Sequence, residues 1–277
     1  MTLTIRTMSS AEIGLALDWA AAEGWNPGLG DADPFHVTDP GGFLIGTVDG
    51  EPAAIISVVR YPDSFAFLGF YIVHPAHRGR GHGWAVWQAG MARLEGCTVG
   101  LDGVVAQQDN YRKSGFAYAW PNYRFGGTIE PRPDAAFIDA RTVPFDRLLA
   151  LDAALFPAPR PAFLAAWLAM PNAKSLALVQ DGDLVALGML RRCRTGCKLG
   201  PVYAPDAAIA ERLIRALAVE ANGAPTSLDV VGRNDPALKL AQDLGLTVGF
   251  ETARMYRGPA PTVATDRLFG ITTFELG

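Results

Sequence analysis

The order of segments in this chain runs twice. Leu68-Gly69 is matched by Leu199-Gly200, Leu101-Asp102 by Leu228-Asp229, and Gly115-Phe116 by Gly245-Leu246. The interval from first to last glycine is 46 residues in one copy and 45 in the other. A repeat of this length restricts the chain to two related units on one plan. Each copy reads as a strand–turn–strand, a buried strand, a helix, a second buried strand, a short helix and a last strand. The expected class is therefore mixed α/β, each unit a central mixed sheet flanked by helices. Residues 1–126 form the first unit and 144–277 the second, with a linker at 127–143 that opens on Gly126-Gly127 and carries PRPDAAF.

Residues 2–6 alternate as a strand, and Ser9 with Glu12 is spaced as a capping box for a helix ending near Gly24. Residues 24–42 read as a long polar loop. Phe43 to Thr47 and Ala53 to Tyr61 are strands joined around Asp49-Gly50, a hairpin signal. Phe65 to Val73 is apolar on both faces and so central. A helix over 83–95, a strand from Thr98 to Ala106, a short helix over 109–114 and a strand from Phe116 to Phe125 complete the first unit. The second has helices over 144–155 and 161–170, strands at 175–180, 184–192 and 198–204, and an amphipathic helix over 206–221. A strand at 226–231, a helix from Asn234 to Gly245 and a strand at 248–256 follow, and Phe269 to Leu276 is one further candidate strand.

Composition narrows the function classes. With 277 residues, 49% of them hydrophobic and 19% charged, there is ample core material, and a formal net charge of −4 argues against a nucleic-acid binder. No apolar run reaches the length that spans a bilayer, and the N-terminus lacks a signal-peptide layout. Three cysteines fit a reducing compartment, so a cytoplasmic protein is expected. Cys193 and Cys197 are expected to be structural. His74 and His77 have metal-like spacing, but Pro75 between them breaks the helical face such a site needs, so no metal is expected.

The copies differ at one place. After Val73 comes His74-Pro75-Ala76-His77 and then Arg78-Gly79-Arg80-Gly81-His82-Gly83, leading into a helix. After Val202-Tyr203 comes only Ala204-Pro205-Asp206. Strand, glycine-rich basic turn and helix make an anion cradle, because N–H groups at a helix start are unpaired and partly positive. The P-loop pattern is absent, and the glycines run GxGxG rather than in the dinucleotide spacing.

These residues resemble the GNAT superfamily of acyl-CoA-dependent N-acetyltransferases, whose signature [RQ]-x-x-G-x-[GA] is read here at Arg78 to Gly83 behind Val73-His74-Pro75. Asn110-Tyr111-Arg112-Lys113-Ser114-Gly115-Phe116 is similar to the family's second element, with Asn110 nearer the tyrosine than usual. The whole resembles the tandem two-domain members, with a divergent second domain that has lost the cofactor motif. The resemblance implies an acetyl-CoA donor with its pyrophosphate on Gly79 to Gly83 and its pantetheine amides against Tyr71, Ile72 and Val73. Arg78 and Arg80 add charge, His82 contributes backbone only, and Asn110 lies near the cofactor. It implies Tyr111 as the acid that protonates the leaving thiolate. The 24–42 loop would shape the acceptor site, with Trp25, Asn26, Asp31, Asp33 and His36 meeting a cationic small-molecule amine and Asn122 and Tyr123 lining the other side. No base is identified; a water chain or a carboxylate of that loop is expected. A monomer or homodimer is expected. A non-catalytic acyl-CoA-binding or regulatory protein, and an enzyme acting on protein lysines or N-termini, stay open.

Overall fold

The computed structural model describes residues 2–277. The first unit runs β1 (Leu3–Thr7), α1 (Ser10–Ala22), α2 (Ala32–Thr38), β2 (Phe43–Val48), β3 (Glu51–Arg60), β4 (Phe65–Val73), α3 (His82–Arg93), β5 (Thr98–Val104), α4 (Gln108–Lys113) and β6 (Ala117–Gly127). The second repeats that order as β7 (Phe137–Asp139), α5 (Phe145–Leu155), α6 (Pro161–Leu168), β8 (Ala173–Gln180), β9 (Asp183–Arg192), β10 (Cys197–Tyr203), α7 (Ala207–Ala218), β11 (Thr226–Val231), α8 (Asp235–Asp243) and β12 (Thr247–Arg257), followed by β13 (Leu268–Gly270).

Local chemistry accounts for the boundaries. Glu12 accepts from the Ser9 N–H at 2.8 Å, and Asp206 and Asn234 accept from Ile209 and Ala237 N–H groups to start α7 and α8. Asp49-Gly50 and Asp181-Gly182 all have positive φ, as a two-residue hairpin turn requires. The sequence pattern missed α2 inside the 24–42 loop and β7 inside the linker, both too short to show a period. It also overextended the last strand: only Leu268–Gly270 pairs, and the following residues are irregular but buried.

All thirteen strands among the described residues belong to one sheet, in the order β1-β2-β3-β4-β5-β12-β6-β11-β10-β9-β8-β7, with β13 paired to β10 off that path. The order is a palindrome under the repeat, so a pseudo-twofold axis passes between β12 and β6. Each unit's last strand has crossed over: β12 pairs with β5 of the first unit and β6 with β11 of the second. The β4–β5 and β10–β11 pairs are parallel and the other pairs antiparallel.

The exchange is pinned by two buried ion pairs at equivalent positions. Arg124 on β6 donates Nε and Nη2 to Asp229 on β11 at 2.6 and 2.7 Å. Arg254 on β12 donates the same two nitrogens to Asp102 on β5 at 2.7 and 2.8 Å. The surroundings of the two carboxyls differ. Burial lifts Asp102 above its ordinary range despite Arg254 and Asn122, whereas at Asp229 the charge of Arg124, with Lys198 and Arg191 nearby, overrides burial and holds the carboxyl below it. Removing one partner strands a charge in the sheet. Arg254→Leu is expected to cost about 3–5 kcal/mol in urea unfolding, and the double change Arg254→Leu with Asp102→Leu to recover most of that.

The C-terminal segment has a second structural role. In the first unit β4 pairs with β5 only as far as Leu68 and Leu101, and beyond them the strands part. In the second unit the equivalent parting after Leu199 and Leu228 is filled, because β13 pairs with Val202 and Tyr203 of β10 and the Ile271 N–H donates to the Asp229 carbonyl. The segment then crosses to the first unit. A Cβ on Gly200 would lie 2.3 Å from the Ile271 carbonyl oxygen, and one on Gly69 2.2 Å from that of Glu275. The repeated Leu-Gly pairs therefore mark where the tail passes over each unit.

Candidate functional site

The open parting of β4 and β5 is the centre of a cavity of about 560 Å³. The first unit supplies Leu68 to Val73, Leu101 to Val104, Tyr111 and Trp25; the second supplies Phe250 and Thr252 of β12, and the tail Phe274 and Glu275. Between β3 and β4 the register shifts from Ser57–Gly69 to Ile55–Ile72, a bulge that holds Phe70 at φ 45°. Positive φ is strained for so bulky a residue, and the bulge turns Tyr71 to Val73 toward the cavity mouth. A smaller cavity of about 300 Å³ adjoins it between α3 and α4, sharing Tyr71, Gln107 and Tyr111 and adding Trp84, Trp87, Asn110 and Lys113.

The glycine-rich turn lies at the mouth. Gly79 and Gly81 have φ of 74° and 81°, with open space where a Cβ would project. Gly81 is the N-cap of α3, a twelve-residue helix whose first N–H groups have no intrahelical acceptor. Arg80 is exposed there and His82 half-buried. Gly83 serves packing instead: a Cβ would sit 2.6 Å from Val73 Cγ2 and 3.0 Å from Tyr71 Oη, so its absence seats α3 against β4. Arg78 folds back, donating to the Val73 carbonyl at 3.0 Å and pairing with Glu23.

Tyr111 is 9% exposed and stacked on Trp87 at 5.8 Å. Gly103 makes room for its ring, since a Cβ there would be 2.4 Å from Cε2. Burial, with the Tyr71 phenol nearby, pushes Tyr111 up to about 12, so the group carries its proton at neutral pH. Asn110 donates to Gln107 at 2.7 Å on the exposed side of α4 and lines only the smaller cavity.

The residues expected around an acceptor divide. Trp25 lines the cavity, its carbonyl taking hydrogen bonds from Arg124 and Lys198. Asn26 and Asp31 are not among the lining residues. Asn26 exchanges two hydrogen bonds with the Thr195 backbone, docking its loop on the β9–β10 hairpin. Asp31 is 1% exposed, accepts from the Gly28 N–H and pairs with Arg191. Asp33 and His36 lie on α2, also outside the lining, and Tyr123 packs toward the second unit's core. Its neighbour Arg124 faces the cavity, and Asn122 is buried against Asp102. The pattern missed Glu23, Arg124, Thr252 and Glu275, because each reaches the cavity through tertiary packing that leaves no local spacing.

Comparison with known proteins follows this geometry. A profile described as "Acetyltransferase (GNAT) family" matches residues 14–116, and one described as "Acetyltransferase (GNAT) domain" matches 148–270. A holothin acyltransferase of Pseudoalteromonas sp. (strain SANK 73390) is 31% identical over 281 residues, covering all of this chain and 95% of the relative. The chain belongs to the GNAT acetyltransferase superfamily. Among solved structures, a Pyrococcus horikoshii protein assigned as an acetyltransferase superposes with a TM-score of 0.84 at 20% identity, over 99% of this chain and 96% of that one. A tandem GNAT protein from the clavulanic acid biosynthesis pathway gives 0.66 at 14%, over 94% and 100%. The tandem GNAT fold, one mixed sheet carrying two units, is thus shared across the whole length. Within that GNAT frame the seating of α3 on β4 is testable. Gly83→Ala should cost about 1–3 kcal/mol in urea unfolding, by forcing the helix start away from the strand.

Proposed function

We propose that this GNAT protein transfers an acetyl group from acetyl-CoA to the primary amine of a small-molecule acceptor, with the chemistry in the first unit. The observation that carries this reading is the cavity at the β4–β5 parting, which runs from Arg78, where the glycine-rich turn begins, to a protonated, buried tyrosine inside. The relative named as a holothin acyltransferase supports acyl transfer. The volume is in the range of small-molecule sites, and β12 and the tail wall it where a protein substrate would need an open groove.

Each part of the donor has a place that suits it. The start of α3 and the positive-φ glycines offer N–H groups to a pyrophosphate, as a helix start does for phosphates generally. Beyond Leu68 the backbone of β4 has no strand partner on the β5 side, so Tyr71 to Val73 can pair with the amides of a pantetheine arm as with an added strand. Arg78 must leave the Val73 carbonyl for that pairing, which frees it to meet phosphate. When bound, the donor supplies a thioester whose carbonyl accepts the amine. Tyr111 gives its proton to the departing sulfur, and the buried Thr252 hydroxyl, which has no partner among the described residues, offers the acceptor a polar contact.

Thiol release from acetyl-CoA across a panel of alkylamines tests the reading; no release with any amine would favour a binding or regulatory role. Tyr111→Phe is expected to lower kcat on the order of 10²-fold while coenzyme A affinity stays unchanged. Because the phenol's pKa is raised, its proton is lost only as pH nears about 12. Tyr111 should therefore add no alkaline fall to kcat between roughly pH 8 and 10.

A further inference from the structure

Three acidic residues line the cavity, and one of them has no ion-pair partner among the described residues. Glu23 is paired with Arg78, and Asp102 is gripped by Arg254 and accepts from Asn122. Glu275 is 3% exposed and has no ion-pair partner among the described residues. Its Oε2 accepts from the Thr273 hydroxyl, which in turn accepts from the Glu275 N–H at 3.2 Å. Oε1 takes no hydrogen bond from any described residue. A buried carboxylate with one oxygen fixed and the other free is held in one orientation and still has a lone pair to give.

The surroundings fix that orientation further. Thr272 just ahead takes hydrogen bonds from Arg160 and Arg191, the Leu276 carbonyl just behind takes one from Tyr61, and Phe274 lies under the Arg124 guanidinium at 4.9 Å. Arg124, Arg191 and Lys198 stand close enough to act on the Glu275 charge, the first two already matched by Asp229 and Asp31. The same cavity is lined by Glu23, paired with Arg78, by Asp102, paired with Arg254, and by Tyr71 and Tyr111. The tail thus enters the cavity as a clamped segment, with Glu275 passing over Gly69.

We propose that Glu275, delivered by the C-terminal tail to the cavity of the first unit, is the general base that takes the proton from the acceptor ammonium. This rests on the acetyltransfer reading above. One proton passes from the alkylammonium to the Glu275 carboxylate and on to water. The neutral nitrogen then forms the N–C bond and the C–S bond breaks. The sulfur takes the Tyr111 proton, and Tyr111 regains one from the nitrogen. Ammonium and thioester thus become amide, free thiol and one released proton.

The test compares an alkylamine with an acceptor already unprotonated at neutral pH, such as a hydrazine or an aromatic amine, in wild type and Glu275→Gln. The variant is expected to lose about 10²-fold in kcat/KM with the alkylamine and far less with the neutral acceptor. In Glu275→Gln with the alkylamine, log kcat/KM should rise with unit slope up to that amine's own pKa, a dependence that the wild type, taking the ammonium directly, does not follow. Partial misfolding would lower both rates alike, so the ratio between acceptors is the diagnostic, and Glu275→Asp should shift it in the same direction by less. An unchanged ratio and pH profile in Glu275→Gln would overturn the assignment while leaving acetyl transfer standing. A wild type inactive on every amine would overturn both.

Discussion

The structure depends on the exchange of β6 and β12 across the pseudo-twofold axis. Without it each unit would end on an exposed strand edge, and the two sheets would have no shared centre. The two Arg–Asp pairs fix its register. Each guanidinium meets its carboxylate through two parallel hydrogen bonds, a geometry that tolerates no one-residue slip of the strand. A slip would also turn every side chain on β6 or β12 to the opposite face. Buried ion pairs contribute little net stability against an apolar alternative, and their effect here is on which pairing forms.

The two units then diverge by what fills the gap beside the fourth strand of the repeat. A buried backbone must have its N–H and C=O groups paired. In the second unit the chain meets that requirement itself, with β13 on Val202 and Tyr203. In the first unit the equivalent stretch, Tyr71 and Ile72, faces a cavity, and its unpaired groups are available to something outside the chain. The glycine-rich turn lies beside the open gap and is missing beside the filled one. One sheet plan thus yields an open cavity in one copy and a sealed core in the other.

Much of this was legible in the sequence. The repeat and the glycine run after an apolar strand follow from patterns in the residues, and the family resemblance points to Tyr111, four residues before Gly115, which the structure places on the cavity wall. What the sequence hid depends on contacts between distant segments. Asn26 and Asp31 read as loop polar groups for a ligand, yet they are engaged by Thr195 and Arg191 of the other unit. Gly69 and Gly200 served as markers of the repeat, but the reason for both is the tail that crosses them. The tail has no periodicity to read, because its backbone is held largely by the Tyr61 and Arg191 side chains and by the Asp229 carbonyl of β11.

The same tail explains why neither unit would make this site alone. Phe250 and Thr252 reach the cavity only because β12 has crossed to β5, and Phe274 and Glu275 only because the tail, having sealed the second unit, continues over Gly69. An isolated first unit would keep the cradle and Tyr111 while losing one wall and the unpaired carboxylate. It would also expose the edges of β5 and β6 and leave the Asp102 carboxyl without its guanidinium. The second unit is therefore a structural part of the cavity, and the equivalent place in its own sheet is occupied by the chain that completes the other.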